Sequence, residues 1–135
     1  AFKNGSDQET ADGSVVVVIA TDAPLSDRNL RRVAERAFIG IGRTGSSFSN
    51  GSGDYAVAFS THGGVRRTAA RRAAQTGFDE LPNEGVSPLF QAVVEATEEA
   101  VVNALFAAET MTGHQGRIEA LPIDAVARLR REQAE

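Results

Sequence analysis

The sequence predicts a mixed α+β domain, and three observations predict it. Val15-Val16-Val17-Val18-Ile19-Ala20 is a short, unbroken β-branched run. Apolar residues recur at three- and four-residue spacing over 30–41 and again over 89–111. Between them, residues 55–61 alternate large apolar with small side chains. The order strand, helix, loop, strand, helix, helix belongs to the α+β class.

Each element has its own local cause. Residues 1–13 are polar and aperiodic, a tail or loop that needs something else to order it. The valine run has no alternation, which predicts a strand covered on both faces. Ser26 is the expected N-cap of the first helix, with Asp27 in the first turn, where the helix dipole favours negative charge. Leu30, Val33, Ala34, Ala37, Phe38 and Ile41 then share one face, opposite Arg28, Arg31, Arg32, Glu35 and Arg36, and Gly40 is the expected stop. A Gly/Ser/Asn-rich loop over 42–54 leads into the strand 55–61. Residues 63–85 read as surface, and Arg66, Arg67, Arg71 and Arg72 as a solvated face rather than an anion site. Ser87-Pro88 predicts the start of a long helix running to about Thr112 and ended by Gly113. Residues 122–131 predict a short last helix.

With 135 residues the chain is the size of one domain and can bury roughly two-thirds of its unfolded surface without covalent staples. The lack of cysteine excludes disulfides, thiolate zinc sites and a cysteine nucleophile. A net charge of −4 argues against a nucleic-acid partner, and no apolar run approaches the ~20 residues needed to cross a bilayer. No secretory leader is evident, so a cytoplasmic location is expected, with the periplasm as the alternative.

The chemistry has few places to sit. Gly40-Ile41-Gly42-Arg43-Thr44-Gly45 spells G-x-G-x-x-G, but a helix precedes it and a loop follows, the reverse of a dinucleotide site. His62 and His114 lack the spacing of metal ligands, and neither a metal nor an organic cofactor is expected. Ser14, between Gly13 and the first strand, is either a simple turn or a self-processed N-terminal nucleophile. In the second case its Oγ attacks the Gly13 carbonyl, and the freed α-amine, of pKa about 7.7–8.0, then serves as base. Asn50-Gly51-Ser52-Gly53-Asp54 is either a plain turn or a support cluster. In that cluster Ser52 relays a hydrogen bond, Asp54 orients it, and the glycines let the backbone approach a substrate.

Taken together, the segments over 13–25, 40–45, 49–54, 87–105 and 111–113 resemble the self-cleaving L-aminopeptidase/D-amidase-esterase family, which includes the β-peptidyl aminopeptidases. The resemblance implies a four-layer αββα sandwich, similar to the Ntn hydrolases but differently connected. It implies cleavage at Gly13–Ser14, with 1–13 the stub of a large α segment and 14–135 the β segment. Ser14 is then the nucleophile, Ser52 and Asp54 its support, and Asn50, Gly51 and Gly53 help shape the loop. Asp54 stands where relatives also carry the longer Glu. The expected partners are that α segment, which supplies an oxyanion-hole asparagine and much of the pocket, further αβ units in a homo-oligomer, and a small peptide or amino-acid amide. Residues 14–135 alone are expected to be neither fully stable nor active. Two rivals stand beside this reading. One is an acyltransferase of the ornithine-acetyltransferase kind, whose nucleophile is threonine. The other is a non-catalytic binding or scaffold domain in which Gly13–Ser14 is only a turn.

Overall fold

Strand β1 (Val16–Thr21) and strand β2 (Tyr55–Ser60) of the computed structural model pair in parallel, Val16 opposite Tyr55 through Thr21 opposite Ser60. The structure describes residues 13–74, 77–114 and 116–134. Of the tail predicted over 1–13, residues 1–12 lie outside them. Helix α1 (Asp27–Arg43) connects the two strands, as a parallel pair requires. Helix α3 (Ser87–Ala107) follows a short helix α2 (Ala69–Ala73) and a 3-10 turn (Asn83–Gly85). By compactness the chain divides into one unit up to Glu98 and a second from Glu99 onward.

In the first unit, Leu25, Val33, Ala37, Val86 and Val93 form the core. Val17, Ile19, Ala56 and Ala58 pack on it from the sheet. Alternation was legible in the sequence for β2 but not for the valine run, and the structure shows it in both strands. The small residues Ala56 and Ala58 face the helices, while Val16, Val18, Tyr55, Val57 and Phe59 stand 45–66% exposed on the other face. Within the described chain, the valine run is therefore covered on one face, not two.

Helix α1 corrects one expectation. It does not stop at Gly40 but runs on to Arg43, and Gly45, at φ 104°, takes the left-handed conformation just beyond it. Gly40 is instead a contact point. A Cβ there would lie 2.7 Å from both the Val94 carbonyl oxygen and Thr97 Cβ of α3. The helix tolerates a glycine, at a cost of about 1 kcal/mol against alanine, because only a bare backbone allows α3 this close.

Ser26 occupies the N-cap position but does not cap with its own side chain. Its hydroxyl and its backbone N–H both donate to Glu80 Oε1, which also accepts from Asn29 Nδ2 at 2.7 Å. The buried Asn29 is satisfied on its other side by Arg32 Nη1 at 2.8 Å. These bonds from Ser26 hold the Glu80 carboxyl below its ordinary range. A carboxylate lowered in the folded state adds stability above its unfolded value of about 4.3, and that stability is lost as pH falls through the folded value. The melting-temperature gap between wild type and Glu80→Gln is thus expected to be constant above about pH 5 and to shrink below about pH 4. A gap independent of pH between 3 and 7 would contradict this.

The second unit contains the C-terminal end of α3, a hairpin of β3 (Met111–Gly113) and β4 (Gly116–Ile118), and helix α4 (Ile123–Glu132). The long helix ends five residues before the expected Thr112, and Met111 and Thr112 are strand. Thr110 and Thr112 are poor helix formers, and Gly116, at φ 144°, permits the backbone turn of the hairpin. The short last helix lies where the pattern put it. No described helix is long and apolar enough to cross a membrane.

Candidate active site

The site is the parallel register of β1 and β2 carried three residues beyond the ends of the strands. Val16 pairs with Tyr55, an offset of 39 positions, and the same offset links Val15 to Asp54, Ser14 to Gly53 and Gly13 to Ser52. Tyr55 N–H donates to the Val15 carbonyl at 2.9 Å and closes the ladder at its end. Side chains and loop amides then take over from backbone pairs.

Two polar atoms at the Gly13–Ser14 linkage, the Gly13 carbonyl oxygen and Ser14 Oγ, each have a contact. Ser52 Oγ lies 2.8 Å from the Gly13 carbonyl oxygen and 2.6 Å from Asp54 Oδ2. Gly53 N–H donates to Ser14 Oγ at 3.0 Å. Asp54 Oδ1 accepts from Val15 N–H at 3.0 Å, which fixes the carboxylate. The Asp side chain is thus long enough to reach Ser52. A hydroxyl carries one proton, and both neighbours of Ser52 Oγ are acceptors when Asp54 is ionised. Ser52 therefore donates to the carboxylate or to the carbonyl, one at a time. Charge developing on the carbonyl oxygen would draw the proton to it, with no movement of heavy atoms.

Ser14 is exposed and Ser52, Gly53 and Asp54 are half-buried, so Ser14 can be approached from solvent. Beside it opens a pocket of about 390 Å³, framed by residues 13–15 on one side and by the loop over 45–49 on the other. Phe48 in that loop has φ 51°, the one described non-glycine residue at positive φ. For an aromatic residue that conformation costs about 1–3 kcal/mol. Its ring meets Phe38 of α1 edge to face, with centroids 5.9 Å apart.

Of the residues singled out in the sequence, Gly13, Ser14, Ser52, Gly53 and Asp54 are brought together. Asn50 and Gly51 are exposed, in the turn before them, and do not line the pocket. His62 and His114 are exposed and do not line the pocket, and His62 Nδ1 accepts from Gly64 N–H. Sequence reasoning missed the pocket wall at Phe48. Its only signal was a lone large apolar residue in a Ser/Gly loop.

Known proteins resemble this chain over most of its length. The sequence profile of peptidase family S58 matches residues 2–119. A β-peptidyl aminopeptidase, BapA, of Sphingosinicella microcystinivorans is 45% identical over 112 residues, 82% of this chain and 28% of that protein. Among solved structures, the L-aminopeptidase D-Ala-esterase/amidase of Ochrobactrum anthropi, described as a variant of the Ntn hydrolase fold, superposes with a TM-score of 0.81. It is 36% identical over 98% of this chain and 37% of its own. The PH0078 protein of Pyrococcus horikoshii gives a TM-score of 0.80 at 44% identity, over 91% of this chain and 34% of its own. The chain thus has the α+β fold of a segment of these proteins and spans about a third of their length or less.

Proposed function

Because the chain belongs to peptidase family S58, we propose that it is the nucleophile-bearing segment of a self-processing serine aminopeptidase and amidase-esterase. The single observation that carries this reading is the set of contacts spanning one peptide bond. Ser52 Oγ is on the Gly13 carbonyl, and Gly53 N–H is on Ser14 Oγ. A plain turn needs neither.

Those contacts support self-processing. Ser14 Oγ bonds to the Gly13 carbonyl carbon, and its proton goes to the Ser14 nitrogen as the C–N bond breaks, leaving an ester. Water hydrolyses the ester, giving a Gly13 carboxylate and a free α-amine on Ser14. Ser52 donates to the carbonyl oxygen as it gains charge, and Gly53 N–H steadies the oxygen that attacks. Gly13, without a side chain, leaves the approach open.

In the processed protein the same Oγ attacks the carbonyl of a residue that carries a free amine at its own N-terminus. The Ser14 amine takes the Oγ proton and passes it to the leaving amine or alcohol. Water then releases the acyl-enzyme and regenerates Ser14. Residues 1–13 are the end of a larger α segment, and 14–135 are the β segment. Support for a partner segment comes from the exposed sheet face of Val16, Val18, Tyr55, Val57 and Phe59. Parallel strands are ordinarily covered on both faces, and a second sheet on this one would give four layers.

The test is hydrolysis by the complete protein of an amino-acid amide and of its N-acetylated counterpart. The free-amine substrate is expected to be cleaved at least about a hundredfold faster. Transfer of the acyl group to ornithine in preference to water would instead favour the acyltransferase.

A further inference from the structure

We infer that Phe48 is a specificity-determining residue. Its ring is the apolar wall that receives the side chain of the substrate residue whose carbonyl Ser14 attacks. The inference rests on the function proposed above and deepens it.

The linkage at Gly13 is the protein's own first substrate, so Gly13 marks where the acyl residue of any later substrate lies. Gly13 lines the pocket that opens between Ser14 and the loop over 45–49. A Cβ placed on Gly13 in the L configuration meets, apart from its chain neighbours, no atom of the described residues within 4 Å. An L-residue in that place therefore has open space for its side chain, which glycine leaves unfilled. At about 390 Å³ the pocket is within the range of small-molecule sites.

Phe48 is the residue that gives this space a chemical preference. The loop over 45–49 otherwise offers only glycine and serine, so its ring is the large apolar surface there, with Ile41 and Val15 contributing at the edges. Two facts argue against a purely structural ring. Its backbone is held at φ 51°, which a glycine would adopt freely. And the residue remains 39% exposed, so the strain is not compensated by full burial. The edge-to-face contact with Phe38 and the close approach to Gly42 on α1 hold the ring in place rather than hide it. Phe48 also borders a second depression with Phe38, Ser52 and Asp54, so it stands at the rim of the catalytic cluster. The acyl residues that fit are L-residues with branched or aromatic side chains, which gain apolar contact with the ring.

The experiment compares kcat/KM of the complete protein on glycyl, leucyl and phenylalanyl p-nitroanilides, for wild type and for Phe48→Gly and Phe48→Leu. Glycine suits the left-handed backbone, so Phe48→Gly removes the ring without removing the fold. Thermal melting verifies that. Wild type is expected to prefer the leucyl and phenylalanyl substrates. Phe48→Gly is expected to lower kcat/KM on those two by about tenfold or more and to leave the glycyl substrate within about twofold. Phe48→Leu is expected to keep most of the preference. Equal losses on all three substrates, an unchanged ratio, or a wild-type preference for glycyl would overturn the assignment while leaving the aminopeptidase reading intact. Failure of wild type to cleave any of the three would overturn both.

Discussion

Ser14→Ala in the complete protein is expected to leave one uncut chain and to lower amide hydrolysis by roughly 10⁴-fold or more. Both effects have one cause. Without Oγ no ester forms at Gly13, so the α-amine at position 14 stays locked in a peptide bond and neither nucleophile nor base exists. The fold is not at stake, because Ser14 is exposed and the partner it leaves, Gly53 N–H, is near solvent. Circular dichroism and melting should match wild type. A variant cut at its normal place, or one with activity within tenfold of wild type, would mean that Ser14 is a turn residue.

Ser52→Ala is expected to have the next largest effect, a loss of about 10²–10³-fold in both the rate of self-cleavage and the rate of amide hydrolysis. Ser52 Oγ is the described side-chain donor on the Gly13 carbonyl, 2.8 Å away, and Asp54 keeps it there. Alanine removes the donor but leaves the loop, since the turn is closed by Ser52 N–H on the Ser49 carbonyl, a backbone bond. The fall should appear in kcat more than in KM, because the proton turns to the carbonyl only as charge develops there. A rate within threefold of wild type would assign Ser52 to loop structure alone.

How far the sequence could be read depends on whether a property is local. The valine run, the amphipathic stretch after Ser26 and the alternation over 55–60 became β1, α1 and β2, because side-chain periodicity is written in the chain itself. The end of α1 was not legible. Gly40 looks like a stop until α3 is seen against it, and no pattern within 26–45 contains Val94 or Thr97. The hairpin 111–118 was hidden because Met111 falls by coincidence on the helical spacing of α3. Alternation in β2 gave the period but not which face the helices would cover. That choice is tertiary, and it went to Ala56 and Ala58.

The candidate site divides in the same way. The residues alone left Ser14, Ser52 and Asp54 open as turn positions, the family resemblance pointed to them, and the fold brings them together. The reason they meet is the 39-residue register between two parallel strands, which depends on pairing and has no signature in either strand. The backbone donors Gly53 and Val15 follow from that register. The left-handed Phe48 was equally invisible, since nothing about a phenylalanine announces positive φ.

The most direct test of the account is N-terminal sequencing of the purified complete protein, paired with its intact mass. The account predicts two species, one of which begins Ser-Val-Val-Val-Val. A single species that keeps the Gly13–Ser14 bond and still hydrolyses amino-acid amides at full rate would contradict it.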